Sequence, residues 1–232
     1  MAAPELPMHC GDLFRSDAKA EGGRAWIGGW LCQQDTPACK ARWYSSEITK
    51  EMAPWVFAKA SDPNRVIATL ELLSTLLCIV LFETHFQRNT QGATVLSAST
   101  DNQGNTFALS KFLSTKWPLT ALMIELSEQL RGRSLELALR WLPRTQNVEA
   151  DDLTNLEFSK FDSSLRVECD LGKVKWVVLE EVMGWSKDIY DRILAEREAL
   201  AARPKKPFVI KKAWLKAKKT SAAKRLRATQ PW

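Results

Sequence analysis

The chain has 232 residues, of which 45% are hydrophobic and 26% charged, and its formal net charge is +6. This apolar content is enough for a folded core and excludes a chain that is disordered throughout. We expect neither a membrane span nor a secretory signal, because no run of about eighteen apolar residues occurs and residues 1–11 lack a basic start followed by an apolar block.

The first part of the chain has the pattern of three strands. Asp12–Ala18 mixes apolar and polar residues, Ala25–Cys32 is rich in Trp and Gly, and Arg42–Ile48 alternates. Turn residues fill the segments between them. The pattern predicts a three-stranded meander.

Helices and strands alternate from Pro63 onward. Pro63 opens a helix that runs to about Phe86, and its apolar residues recur every three or four positions, which predicts a largely buried helix. The later predicted elements are a strand at Ala93–Thr100, helices at Gly104–Phe112 and Leu119–Leu130, a strand at Ser134–Leu142, and a helix from Asn147. This order, β-β-β-α-β-α-α-β-α, predicts an α/β fold with a mixed sheet.

The last third of the chain has a different character. Leu165–Lys173 has no clear pattern, and Trp176–Ala202 is amphipathic and predicts a helix. Residues 203–232 hold eleven Lys or Arg and no acid, so residues 1–202 are left with 22 basic and 27 acidic side chains. Such a basic tail indicates a polyanion-binding segment or a nuclear address; the alternative is a solvated, disordered end.

Four acids lie at the ends of predicted strands or within predicted helices. Asp17 ends the first strand, Glu71 lies in the long helix, Asp101 follows the strand Ala93–Thr100, and Asp151 lies in the first turns of the helix after the last strand. Strand ends and adjacent helices meet at one edge of an α/β sheet. Glu71 stands among leucines on a buried helix, where a charged residue needs a partner or a metal ion.

Converging carboxylates repel each other, and a divalent cation relieves that repulsion. Carboxylates and water are the ligands expected for Mg²⁺, with Mn²⁺ as the alternative ion, and two such ions about 4 Å apart can clamp a phosphodiester. Taken singly, each acid has a plainer interpretation, because Asp often caps turns and Glu is a good helix former. An ordinary α/β protein with such caps is therefore a competing hypothesis.

Four segments resemble motifs of ribonuclease H, in the family's order. They are Ser16-Asp17-Ala18, Leu70-Glu71-Leu72-Leu73, Thr100-Asp101-Asn102-Gln103 and Asn147-Val148-Glu149-Ala150-Asp151. The segment Trp141–Leu153 resembles the end of the ribonuclease H domain in retroelement reverse transcriptases, particularly those of tyrosine-recombinase retroelements. The resemblance covers residues 12–160 and implies a ribonuclease H-like mixed five-stranded sheet flanked by helices.

The resemblance implies that the chain cleaves the RNA strand of RNA–DNA hybrids with two Mg²⁺ ions. Asp17, Glu71, Asp101 and Asp151 would be the catalytic metal ligands, with Asp152 as an alternative to Asp151, since adjacent helical residues point to different faces. Asn102, Gln103 and Asn147 would contact the substrate, through the minor groove or the 2′-hydroxyls of RNA. For Asn102 and Gln103, helix capping is an equally good interpretation.

The chain departs from the family in two ways. Many members carry a His-containing loop before the last helix, whereas here only Pro143-Arg144-Thr145-Gln146 joins Leu142 to Asn147. No polymerase segment is visible, which implies a separate or missing reverse-transcriptase polymerase domain as a partner. A catalytically weak or inactive nucleic-acid binding protein of the same fold is therefore the alternative function.

The predicted organisation is an N-terminal arm (1–11), a ribonuclease H-like domain (12–160), a mainly helical extension (161–202) and a basic, disordered tail (203–232). Five cysteines without a CxxC pair indicate reduced thiols and an intracellular protein, nuclear or cytoplasmic, with the tail compatible with the nucleus. A zinc site from His9, Cys10, Cys32 and Cys39 is a weaker hypothesis, since this spacing matches no ordinary zinc motif.

Overall fold

Three antiparallel strands form one half of the sheet in the computed structural model, which describes residues 11–33, 36–58, 62–86, 92–111, 114 and 116–202. They are β1 (Phe14–Glu21), β2 (Arg24–Trp30) and β3 (Trp43–Ile48). Gly22 and Gly23 turn the chain between β1 and β2 with φ of 58° and 79°, a backbone region that favours glycine. The predicted meander is confirmed.

The end predicted for the first strand is wrong. β1 continues through Glu21, so Asp17 lies inside the strand and not at its end. The extension is held by pairing of Lys19 with Trp26 and of Glu21 with Arg24 across the hairpin. Lys19 and Arg24 also lie over the Trp26 ring. These cation–π contacts stabilise a part of the hairpin that lacks the alternation of apolar residues typical of a strand.

Two further strands complete the sheet. β4 (Thr94–Thr100) is parallel to β1, and β5 (Leu135–Trp141) is parallel to β4. The strand order is β3-β2-β1-β4-β5. The predicted fold class, a mixed five-stranded sheet flanked by helices, is confirmed.

One face of the sheet is covered by α1 (Ile67–Leu81), α2 (Gln103–Lys111) and α3 (Leu119–Gly132). The helix predicted to run from Pro63 to Phe86 is shorter, because short 3-10 turns form at Pro63–Val66 and Glu83–His85. Pro63–Leu81 is the one helix in the described part of the chain that is long and apolar enough to cross a membrane, but 67% of its apolar 18-residue window is buried inside the protein. Its apolar composition is therefore explained by the core.

The opposite face carries α4 (Val148–Thr154) against β1, β2 and β3. Leu153 of α4 lies so close to β2 that a Cβ placed on Gly28 would be 2.7 Å from the Leu153 Cβ. A smaller apolar cluster fills this layer, consisting of Trp30, Cys32, Ala41, Trp43, Ala150, Leu153 and Phe161. Glycine at position 28 therefore allows α4 to pack directly on the sheet.

The chain beyond α4 returns along the fold through two 3-10 turns, Ser163–Leu165 and Leu171–Lys173. Val167 N–H donates to the Trp43 carbonyl, so this segment covers the outer edge of β3. The fully buried Glu125 carboxylate of α3 then accepts hydrogen bonds from the backbone N–H groups of Val177, Val178 and Leu179. The carboxylate satisfies donors at the start of α5 (Leu179–Ala202), which begins three residues later than predicted.

The chain divides into two compact units, residues 1–187 and 188–232, and the second is described only through residue 202. Of the predicted arm (1–11), residues 1–10 lie outside the described residues, as does the tail at 203–232. Cys39, Cys78 and Cys169 are free thiols in the described part of the chain. His9 and Cys10 of the zinc hypothesis lie outside the described part of the chain.

Candidate metal centre

Three of the four predicted acids come together in the structure. One carboxylate oxygen each from Asp17, Glu71 and Asp101 lies within 4.8 Å of the other two. Asp17 comes from the middle of β1, Glu71 from the first turns of α1, and Asp101 from the residue after β4. Because β1 and β4 are parallel neighbours, their register brings the two aspartates to the same level of the sheet.

Neighbouring hydroxyl groups orient two of these carboxylates. Thr154 Oγ1 of α4 donates to Asp17 Oδ2 at 3.1 Å, and Thr100 Oγ1 donates a longer hydrogen bond of 3.4 Å to Glu71 Oε2. The position of α1 is itself fixed, since the Asn105 side-chain amide donates to the Ala68 carbonyl at 2.8 Å. The acids are therefore held by elements on both faces of the sheet.

Burial makes the three carboxylates hard to ionise together. Asp17 is 3% exposed and Glu71 is 7% exposed. Burial, followed by the Asp101 carboxylate, raises the pKa of Asp17 to about 7. Burial and then the charges of Asp17 and Asp101 raise the pKa of Glu71 well above its usual range, and burial also raises the pKa of Asp101. A bound cation would reverse this penalty.

The donor set fits a hard divalent cation. All three groups offer carboxylate oxygens, the ligand type that Mg²⁺ and Mn²⁺ take in proteins. Asp101 Oδ1 is buried and has no hydrogen-bond partner in the described part of the chain. An unpaired buried oxygen is costly, and this one, beside the buried carboxylates of Asp17 and Glu71, would be free to coordinate such a cation.

Asp151 borders the site without joining the three-oxygen group. Its charge acts on Asp17 and Asp101, which places it on the same side of the molecule. Its Oδ1 accepts hydrogen bonds from Arg144 Nε, at 3.1 Å, and from Arg144 Nη2, and its Oδ2 accepts one from Asn155 Nδ2 at 2.8 Å.

Asp152 points elsewhere. Its Oδ2 pairs with Lys160 Nζ at 2.6 Å. Of the two adjacent aspartates, the structure therefore places Asp151 and not Asp152 beside the other acids.

The predicted substrate residues have different surroundings. Asn102 Oδ1 accepts a hydrogen bond from the Asn105 backbone N–H, so its side chain caps α2. Gln103 is the exposed first residue of α2. Asn147 is 1% exposed and its Nδ2 donates to the Ser16 carbonyl of β1, so it fixes α4 to the sheet and does not present its amide to solvent.

Two residues of the site escape sequence reasoning. Thr154 stands three positions after Asp151 and therefore on the same face of α4, a spacing that could have been used to find it. Arg144 lies in the short connection between β5 and α4. Its guanidinium pairs with Asp151 and its charge also acts on Asp17 and Asp101.

No protein-family model and no curated protein matches the sequence. Among solved structures, the chain is similar to ribonuclease H1 from Halobacterium salinarum, with 17% identity, a TM-score of 0.44, and coverage of 62% of this chain and 95% of that one. It is also similar to LC11 ribonuclease H1 in complex with an RNA/DNA hybrid (18%, TM-score 0.44, 62% and 93%). A third similar structure is the N-terminal ribonuclease H domain of a Mycobacterium tuberculosis protein (17%, TM-score 0.37, 62% and 90%).

Proposed function

We propose that this chain is a metal-dependent endonuclease that cleaves the RNA strand of RNA–DNA hybrids. The observation that supports this most is the convergence of Asp17, Glu71 and Asp101 within 4.8 Å inside a ribonuclease H-like sheet. The buried carboxylates of Asp17 and Glu71 and the half-buried carboxylate of Asp101 repel one another, which destabilises a metal-free fold. A function that needs bound cations explains why they are present together.

Asp17, Glu71 and Asp101 would hold Mg²⁺ ions, with Asp151 as the fourth ligand. Bound ions of this kind activate a water molecule for attack on phosphorus and stabilise the leaving oxygen. The protein's part is to fix the carboxylates in advance. Thr154 orients Asp17, Thr100 orients Glu71, and the buried position of these groups lowers the local dielectric, so that their interaction with a cation is stronger than in water.

The hybrid substrate is what the resemblance of the four motifs implies. Gln103 is exposed at the start of α2, two residues after Asp101, and would reach a 2′-hydroxyl of the RNA strand. The Trp141 ring, half exposed at the end of β5, is fixed near the same edge by a hydrogen bond from its Nε1 to the Asp101 carbonyl. An exposed ring held in place can contact a sugar or base.

The test is incubation with a labelled RNA–DNA hybrid, with and without Mg²⁺. We expect cleavage of the RNA strand only with Mg²⁺, and we expect Asp101→Asn to reduce the rate by at least about a thousandfold, as removal of a catalytic group does. Asp152→Asn is the matched control, since it removes the same charge from a residue that pairs with Lys160, and it should cleave at nearly the wild-type rate. Full activity of Asp101→Asn would contradict the proposal.

A non-catalytic nucleic-acid binding protein is the second candidate. The observation that favours it is the pairing of Asp151 with Arg144 and Asn155, which leaves three carboxylates in the cluster instead of four. Hybrid binding without RNA cleavage at any Mg²⁺ or Mn²⁺ concentration would support this candidate over the first.

We also propose that the chain derives from a retroelement reverse transcriptase and acts inside the cell, with a separate polymerase domain as its partner. The support is the resemblance of Trp141–Leu153 to the end of those ribonuclease H domains. The basic tail, which lies outside the described residues, supports a nuclear location. Nuclear exclusion of the full chain, with no change on deleting residues 203–232, would contradict that location.

A further inference from the structure

Arg144 is a positive charge that pairs with Asp151 beside the acidic centre. It lies in the short 3-10 turn between β5 and α4, and its side chain is 70% exposed. Its guanidinium contacts Asp151 Oδ1 through both Nε and Nη2. Its charge also acts on the other acids of the centre, which suggests a role beyond a surface ion pair with Asp151.

The positive charge of Arg144 interacts with all four acids. Pairing with Asp151 comes first and raises the pKa of Arg144, followed by smaller contributions from Asp17 and Asp101. In return, Arg144 lowers the pKa of Asp101 and of Glu71, against the larger effect of burial on both. Arg144 therefore supplies part of the positive charge that a cation would bring to this group.

The oxygens of Asp151 are already engaged. Oδ1 is bound by Arg144, and Oδ2 accepts from Asn155 Nδ2 at 2.8 Å. By contrast, Asp101 Oδ1 has no partner among the described residues. Asp101 can thus coordinate a cation through Oδ1 without breaking a hydrogen bond of that atom, whereas Asp151 Oδ1 has to exchange Arg144 for the cation.

We propose that Arg144 is the resident counter-cation of the acidic centre and competes with divalent ions for Asp151. In the metal-free protein Arg144 holds Asp151 outside the three-oxygen group of Asp17, Glu71 and Asp101. On ion binding, Asp151 joins these ligands as Arg144 releases it. Arg144 is then a positioning residue that sets the ion affinity of the centre, and the inference rests on the proposed metal function.

Release of Arg144 is feasible because the residue is mostly exposed. A guanidinium that leaves an exposed ion pair regains its hydration, so such a pair opposes the competing ion only modestly. We therefore expect Arg144→Gln to tighten Mn²⁺ binding by about three- to tenfold. Arg144→Lys, which keeps the charge but loses the two-nitrogen contact with Oδ1, should lie between wild type and Arg144→Gln.

The experiment is a Mn²⁺ titration of the full chain, followed by the electron paramagnetic resonance signal of free Mn²⁺. The variants are Arg144→Gln, Asp151→Asn and the double variant, with thermal melting to check that each is folded. Arg140→Gln is the matched control, because Arg140 is also an exposed arginine near the end of β5 but pairs with Asp12. It should leave Mn²⁺ affinity within about twofold of wild type.

Competition predicts that the gain from Arg144→Gln disappears when Asp151→Asn is already present. An equal gain in both backgrounds would mean that Arg144 acts only as a distant charge, and would overturn the proposal. If Arg144→Gln gives no gain in Mn²⁺ affinity in either background, the competition proposal is overturned as well. In that case, loss of Mn²⁺ binding in Asp17→Asn would still support the metal site. If wild type binds no Mn²⁺, both this inference and the proposed function are wrong.

Discussion

A buried carboxylate without a cation is energetically unfavourable, and Asp17 is one of the two buried carboxylates in the acidic centre. Its side chain is 3% exposed and its pKa is raised to about 7, with burial as the first cause and Asp101 as the second. Its one hydroxyl donor, Thr154, offsets only part of this cost. Asp17 is therefore expected to affect stability and activity in opposite directions.

We predict that Asp17→Asn stabilises the metal-free protein and abolishes Mg²⁺-dependent cleavage. The amide is similar in size, keeps an acceptor for Thr154 Oγ1, and removes the charge that burial disfavours. Thermal unfolding in EDTA at about pH 8 should show an increase of roughly 1–3 kcal/mol in the free energy of unfolding. Asp152→Asn serves as the control and should change the free energy of unfolding little. If Asp17→Asn is destabilised instead, the Asp17 carboxylate has a structural role.

Asn102 and Gln103 give a contrasting pair at the start of α2. Asn102 caps the helix through Asn105 N–H, whereas Gln103 is exposed. We predict that Asn102→Ala lowers the free energy of unfolding by about 1 kcal/mol. Gln103→Ala should leave unfolding unchanged and weaken binding of an RNA–DNA hybrid more than binding of a DNA duplex. Equal loss on both duplexes would remove Gln103 from recognition of the 2′-hydroxyl.

The sequence motifs predicted the three acids that converge, but not the state of the fourth. Asp17, Glu71 and Asp101 belong to short segments whose position in the fold follows from element order. The contact of Asp151 with Arg144 depends on the length of the turn before α4 and on a side-chain conformation, neither of which a motif encodes. The same holds for Asn147, whose burial against Ser16 follows from how closely α4 packs on β1.

At the scale of elements, the packing of α4 on β2 determines where Asp151 and Thr154 lie. Gly28 is the point of closest approach, because a Cβ there would be 2.7 Å from Leu153 Cβ and 3.4 Å from the Leu153 carbonyl carbon. A methyl group at this position has to push the helix away from the strand. Since Thr154 is the next residue, this shift would also lengthen its hydrogen bond to Asp17.

We predict that Gly28→Ala destabilises the protein by about 1–3 kcal/mol, the usual cost of overpacking a tight contact. It should also lower the cleavage rate measured well below the melting temperature, because Asp17 and Asp151 lose their relative placement. Gly132→Ala is the control, since a Cβ at that position meets no atom within 4 Å. A Gly28→Ala variant with wild-type stability would show that α4 adapts without cost.

Most element boundaries follow from sequence patterns, and the exceptions have physical causes. The strand β5 forms from Leu- and Ala-rich residues, as predicted, because Gly132 and Pro143 bracket it and β4 supplies its hydrogen bonds. The start of α5 is set by Glu125, which lies 54 residues before Leu179. A boundary fixed by such a distant carboxylate cannot be found from local periodicity.

For the whole molecule, the raised pKa values connect stability to pH. The folded protein binds protons at Asp17 up to about pH 7, whereas the unfolded chain releases them near 3.8. The unfolded state therefore holds fewer protons between these values, and stability falls as pH rises. A pKa difference of one corresponds to about 1.4 kcal/mol, so the raised pKa of Asp17 is a loss of a few kcal/mol once the carboxylate ionises.

We predict that the metal-free protein loses stability relative to Asp17→Asn as the pH increases from about 4 to about 7. Saturating Mg²⁺ should remove most of this loss, since the ion favours the ionised carboxylates. Urea unfolding of both proteins across this range, with EDTA or Mg²⁺, measures the difference. A difference that does not change with pH would mean that Asp17 ionises normally in the fold.

The charge distribution of the whole chain gives a separate prediction. Residues 203–232 carry eleven basic side chains and no acid, whereas the preceding 202 residues have a net charge of −5. We predict that deleting residues 203–232 flattens the dependence of hybrid affinity on salt concentration, because fewer counterions are released. Binding at several KCl concentrations checks this, and an unchanged slope would show that the tail does not contact phosphates.

The most direct measurement of the metal centre is anomalous diffraction from crystals of the protein soaked in Mn²⁺. The account predicts an anomalous peak within coordination distance of Asp17, Glu71 and Asp101, and its loss in Asp17→Asn crystals. Wild-type crystals with no peak among these three carboxylates, under conditions where Mn²⁺ binds elsewhere on the protein, would contradict it.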